Sequence, residues 1–198
     1  MPDSSSESLS SDEEDQYLDT KKSSKSLKVS LTKNLKKSMF DKTPHKFVPE
    51  GIIDELVTER AIRKSLRITN STPEEDELVT FVRLRAKKAF ATTVYCKSNT
   101  NRAMRWFQKN NIDDEDLPIK QKTQLWATSW RSDFYEDQWK FFAPVFSTTQ
   151  YSHDLEEAHI LPFVGKSVDS GRGSFGVVSR YDVHGNHLEP VREHRKMR

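Results

Sequence analysis

Between Asn70 and Cys96 the chain reads NSTPEEDELVTFVRLRAKKAFATTVYC, and this stretch limits the fold more than any other. Thr72 carries the side-chain oxygen that a helix N-terminus needs. Pro73 suits the first helical position, and Glu75 completes a capping box with Thr72. Glu74, Glu75, Asp76 and Glu77 put negative charge at the positive end of the helix dipole. Leu78, Val82, Ala86, Ala89, Phe90 and Val94 then recur on one face, while Arg83, Arg85, Lys87 and Lys88 are expected mostly in solvent. The spacing predicts a helix running from Pro73 to Cys96, with one apolar stripe to be covered.

Its neighbours supply the cover. FVPEGIIDELVTERAIRKSLRI places Ile52, Ile53, Leu56, Val57, Ile62 and Leu66 at helical spacing, with Thr58 able to cap a second short helix after a break. NRAMRWFQKNN predicts a further helix ending at its asparagine pair. DDEDLP reads as a turn; its contiguous acids, without the glycine and distal glutamate, exclude a calcium loop. SDFYEDQWKFFAPVF predicts a short helix with Asp133 as N-cap and Pro144 as its stop. Trp126, Trp130, Trp139, Phe134, Phe141, Phe142 and Phe146 crowd one region. They are expected as core rather than as a ligand cage, because each buries a large apolar area. Residues 47–158 are therefore expected to form a helical module that docks a protein partner.

The first 46 residues are different. Residues 1–20 hold seven acids and no lysine or arginine, and residues 21–46 hold nine lysines and one acid. Block charge with so little apolar content predicts disorder. Ser4, Ser10 and Ser11 each have an acid three positions on, the pattern an acid-directed kinase reads. Leu27, Leu31 and Leu35 recur at helical spacing and suggest a transient amphipathic helix on a partner. The net charge of the 198 residues is +2, which gives no case for nucleic acid as a partner. RLRAKK invites a winged-helix DNA-binding reading, but acids interrupt the basic surface. The single cysteine, Cys96, cannot form an internal disulfide, and no apolar run approaches the ~20 residues that span a bilayer. An intracellular chain, cytoplasmic or nuclear, without membrane contact is expected.

Near the C-terminus Gly171, Gly173 and Gly176 form G-x-G-x-x-G, and Val178 extends it to G-x-G-x-x-G-x-V. A dinucleotide fingerprint needs a helix after the glycines. Here GVVSRYDV follows, which is strand-like, and ILPFVGKSVDS before it also reads as a strand. Strand, glycine turn, strand predicts a hairpin, expected within residues 159–188.

GRGSFGVV resembles the first subdomain of eukaryotic-type protein kinases. With FVPEGIIDELVT, QWKFFAPVF, ILPF and YDVHGNH, it is similar to fungal kinase-domain proteins in which a helical region precedes the catalytic domain. The resemblance covers roughly residues 47–188 and implies an ATP phosphate-binding loop made by Gly171, Arg172, Gly173, Ser174, Phe175, Gly176 and Val178. Phe175 would sit at the tip and Val178 on the adenine ring. In an intact member the cofactor is ATP with magnesium and the reaction is phosphoryl transfer to serine or threonine.

The other kinase parts have no counterpart in this sequence. Lys196 lies 20 positions after Gly176, but EHRKMR is no strand to carry a phosphate lysine, and no H-R-D or D-F-G occurs. His184 and His187 lack further ligands for zinc. The expected product is a mainly α chain: a disordered tail (1–46), a helical module (47–158), one kinase-type hairpin (159–188) and a basic end (189–198). It reads as a truncated kinase-like protein, inactive by itself, with no catalytic or metal-binding residue. The alternative is a non-catalytic interaction module.

Overall fold

The computed structural model describes residues 27–40, 45–70, 72–96, 98–120, 130–147, 149–150, 152–173 and 176–189, and over them the chain is mainly α. Helix α1 spans 27–34 and leads into strands β1 (Lys36–Lys37) and β2 (Lys46–Phe47), which pair antiparallel with Lys36 opposite Phe47. Then come α2 (Ile52–Leu56), α3 (Glu59–Leu66), α4 (Pro73–Arg85), α5 (Lys87–Tyr95), α6 (Thr100–Lys109) and α7 (Trp130–Asp137), the last followed by a 3-10 turn over Gln138–Lys140. Strands β3 (Phe163–Gly173) and β4 (Gly176–Val183) follow as an antiparallel pair, and a 3-10 turn over Gly185–His187 closes the order.

Polar side chains start the helices where the sequence places them. Thr58 Oγ1 accepts the Ala61 N–H at 3.3 Å to open α3, and Thr72 Oγ1 accepts the Glu75 N–H at 3.3 Å to open α4. Asn99 Oδ1 does the same for Arg102 at 3.1 Å at the head of α6, whose end falls at Asn110. Asp133 is not a cap: it lies inside α7, and the Gln138–Lys140 turn, not Pro144, ends that segment.

The long helix expected from Pro73 to Cys96 is two. Ala86 breaks it, with φ −138° and ψ 37°. The cause lies in the DDEDLP turn. The Asp114 carboxylate accepts the Lys88 and Ala89 N–H groups at 2.8 and 2.9 Å, capping α5, while its own N–H donates to Arg85 O at 2.9 Å, closing α4. Arg85 Nε bonds Asp113 Oδ2 at 2.8 Å and fastens the turn from the other side. A break whose orphan groups are satisfied by a distant acid is invisible to periodicity.

Helix α5 is the centre. It packs against α2, α4, α6 and α7, and Ala89 through Val94 are all buried. Two of those residues are threonines, and their hydroxyls are satisfied locally: Thr92 Oγ1 donates to Lys88 O and Thr93 Oγ1 to Phe90 O, both at 2.8 Å. Leu78, Val82, Ala86, Ala89, Phe90 and Val94 all lie in the main core, with Ile53, Val57, Ile62 and Leu66. Phe134, Phe141 and Phe142 join them, and Trp130 is packed alongside. Trp139 helps build a second, smaller core with Phe47, Ala143 and Ile160. Aromatics of residues 130–142 are thus core; Trp126 lies outside the described residues.

The tail expected over residues 1–46 is interrupted. Leu27 and Leu31 of α1 are buried in the main core, with Leu35 packed against it. The stripe read as a helix for a foreign partner is used by the chain's own module, because three leucines at one face suffice when a preformed apolar surface receives them. Residues 1–26 and 190–198 lie outside the described residues.

Candidate functional site

The hairpin is strand, turn, strand, as the residues around the glycines require. Gly173 pairs with Gly176, Arg172 with Val177 and Gly171 with Val178, so the glycines flank the two-residue tip. Ser174 and Phe175, the tip itself, lie outside the described residues. The element that follows the glycine turn is the strand β4, not a helix, so the geometry is not that of a dinucleotide-binding turn. A Cβ on Gly171 would meet nothing within 4 Å. Val178 is 65% exposed and Val168, further down β3, is 51% exposed. Both valines thus keep half or more of their surface exposed.

The glycine that the backbone does demand is Gly165. Its φ is +79°, at an irregularity in the register between Val164 and Val168, where side-chain-bearing residues are strained. A Cβ there would stand 3.4 Å from Asp182 Oδ2.

The root of the hairpin is tightly held. Phe163 stacks on Tyr181 with ring centroids 5.1 Å apart, Phe40 meets both rings at 5.7 Å, and Phe146 stacks on Phe163 at 6.2 Å. Backbone bonds tie the same place: Met39 N–H to Phe163 O at 2.9 Å, and His184 N–H to Pro162 O at 2.9 Å. Phe146 exchanges backbone bonds with the end of the hairpin, donating to His187 O at 2.8 Å and accepting the Glu189 N–H at 2.9 Å.

His187 is the key of this root, and sequence reasoning missed its role. It is fully buried; Nε2 accepts the Glu50 N–H at 3.0 Å and Nδ1 donates to Pro144 O at 2.9 Å. Those bonds require the neutral ring protonated at Nδ1. Burial pushes its pKa below the ordinary histidine value. Beside it, Asn186 Nδ2 donates to Glu50 O at 2.9 Å, and the Phe47 ring lies edge-on 5.2 Å from His187. Both nitrogens are consumed by backbone, so His187 is no metal ligand. The described residues hold no cluster of histidine, cysteine and acids suited to a metal ion. The only signal in the sequence was the short HGNH segment, and its partners are 43 and 137 positions away.

The basic stretch of α4 and α5 is neutralised rather than presented. Arg85 pairs with Asp113 at 2.5 Å, Lys87 with Asp54 at 2.5 Å and Lys88 with Glu50 at 3.1 Å. This leaves little of RLRAKK for a phosphate backbone. Burial, then Asp137, push the Cys96 thiol pKa far above its ordinary value, which disfavours the thiolate. No helix among the described residues is long and apolar enough to cross a membrane.

Compared with protein-family models, with curated proteins and with solved structures, the chain matches none.

Proposed function

We propose that residues 159–188 are the glycine-rich hairpin of a protein-kinase-like nucleotide site, carried on a helical regulatory module, and that the residues of this chain perform no phosphoryl transfer. The observation that supports this reading most is the register. Gly173 opposite Gly176 makes a strand–turn–strand phosphate loop, the kinase arrangement, with Val178 on β4 beyond the third glycine. Backbone N–H groups at the tip would contact the β- and γ-phosphates of ATP. The exposed valines offer the adenine ring no enclosed slot, and the chain holds no residue in the setting of a phosphate lysine or magnesium aspartate, so affinity is weak.

A titration of full-length protein with ATP and magnesium, followed by amide chemical shifts, tests this. The expected result is millimolar binding with shifts confined to residues 171–178, and no phosphate transfer to a generic acceptor peptide. Unmoved amides at Gly171, Gly173 and Gly176 would falsify the reading.

A second reading, a module that docks another protein, is favoured by Leu84, which is 68% exposed on α4 near the buried Phe81. Saturable binding of a partner lost on L84D, with the ATP shifts absent, would favour it.

A further inference from the structure

Two clefts of the described surface have their charge arranged oppositely. The smaller, about 400 Å³, is lined by the paired groups Arg85–Asp113, Lys87–Asp54 and Lys88–Glu50. The larger, about 980 Å³, lies where the end of α3 meets the start of α6, with α1 at its edge. Lys28, Arg67, Arg102 and Arg105 line it, and every other lining residue is uncharged. Arg67 and Arg102 have no carboxylate partner among the described residues. Arg105 lies close enough to Glu74 to help hold that carboxyl below its ordinary pKa, after the hydrogen bonds at the helix start.

The cleft is built, not accidental. Asn101 Nδ2 donates to Leu66 O at 2.9 Å, and Arg105 Nε donates to Asn101 Oδ1 at 2.9 Å. These bonds lock the first turn of α6 to the end of α3, so the two elements that carry the arginines are held side by side. Arg67 stands at the left-handed C-cap of α3, φ 59°, which a bulky residue adopts only when its surroundings impose it.

We propose that this cleft receives the acidic, serine-rich residues 1–20 of the same chain, and that phosphorylation of Ser10 and Ser11 tightens the contact. Three observations select this occupant. Residues 1–20 carry seven acids and no basic residue, the complement of a lining with four cations and no acid. Thr20 lies eight positions before Lys28, itself on the cleft, so an extended tether reaches about 28 Å and the two charge sets meet within one chain. Tethering at that length gives an effective concentration in the millimolar range, enough for a contact too weak to form between molecules. Ser10 and Ser11 have Glu13 and Glu14 three positions on. An acid-directed kinase would transfer the γ-phosphoryl of ATP to each serine oxygen, releasing ADP and a proton. Each phosphate adds about −1.5 to −2 charges and oxygens that suit arginine pairs.

The test uses the full chain with a nitroxide on the Ser5→Cys variant in a Cys96→Ser background, because Cys96 is only half-buried and lies between the cleft-lining residues Val94 and Ser98. At low salt, amides of residues 99–105 are expected to lose more than half their intensity, while those of 153–157 keep theirs. Phosphorylation of Ser10 and Ser11 deepens the loss, R67E/R102E abolishes it, and high salt abolishes it in the unmutated cleft as well. Equal intensities in the two regions overturn the proposal, as does a loss unchanged by both R67E/R102E and salt. A loss that grows with protein concentration also overturns it, by assigning the contact to a second copy. None of these outcomes depends on nucleotide binding at the hairpin.

Discussion

At its root the β3–β4 hairpin is gripped by four aromatic rings, a buried histidine and backbone bonds to two separate segments; toward its tip Val178 is largely exposed and a methyl on Gly171 would touch nothing. The two ends are a few residues apart in the same strands. Stability is concentrated where the residues are consumed by the fold, and the tip is left with groups that the fold does not use. A local motif such as G-x-G-x-x-G belongs to the second kind: its glycines lie outside the packed core. Substitutions at the two ends should therefore separate stability from binding.

The largest effect is expected in the module that holds the root. Leu31 is fully buried in the main core, so Leu31→Ala should cost about 3 kcal/mol, lowering the denaturant midpoint at nearly constant slope. A loss below about 0.5 kcal/mol would mean that α1 rides on the module without sealing it, and that the core ends at Phe47. At the root itself, His187→Leu leaves the Glu50 N–H and the Pro144 carbonyl without partners. The expected loss is about 2 kcal/mol, with faster amide exchange at Phe146 and Glu189, while α5 and α6 keep their protection. Uniform loss of protection would show that hairpin and module unfold as one unit.

These two residues also measure how far the sequence could be read. The helices of residues 52–109 were legible because their information is local: Thr58, Thr72 and Pro73 mark starts, and the apolar stripe marks the inner face. Strand, turn and strand at 163–183 were legible for the same reason, since the glycines and the β-branched and aromatic residues around them act on their own neighbours. Leu31 was read as a residue for another protein because charge blocks dominate its window, and composition does not reveal that a waiting surface lies on the same chain. His187 was weighed only as a metal ligand. Its real partners are made adjacent by the fold, and a histidine buried between two backbone groups leaves no pattern in sequence. Asp114 failed in the same way: four contiguous acids announced a turn, not that one of them caps a helix begun 27 positions earlier.

Asp114 provides a pH test of that cap. Burial raises its pKa from 3.8 to about 6, against the two N–H donors and Lys88, which favour the carboxylate. The folded state therefore binds its proton more tightly than the unfolded state. Stability contributed by the protonated acid is fully present below about pH 4 and is lost as pH rises through about 6. The loss should reach about 2 kcal/mol, allowing for partial exposure. His187 acts in the opposite sense: its lowered pKa means that stability is lost on acidification below the ordinary histidine range. The clean measurement is thus the difference in unfolding free energy between the unmutated protein and Asp114→Asn across pH 4–7. A sloping difference supports the buried-acid cap, and a flat one means that Asp114 titrates alike in both states.

The smallest effect on stability should accompany the clearest effect on binding. Val178 sits on β4 opposite Gly171 and is 65% exposed, so Val178→Ala removes little buried surface. Its unfolding free energy should stay within about 0.5 kcal/mol of the parent. On the kinase-like reading the same methyl groups lie against the adenine ring, so the amide shifts at residues 171–178 caused by ATP and magnesium should weaken while those caused by inorganic triphosphate stay unchanged. A stability loss above about 1 kcal/mol would place Val178 with the root residues, as part of the packed structure. Equal weakening with ATP and triphosphate would separate the valine from the base and leave the glycines as a phosphate contact alone.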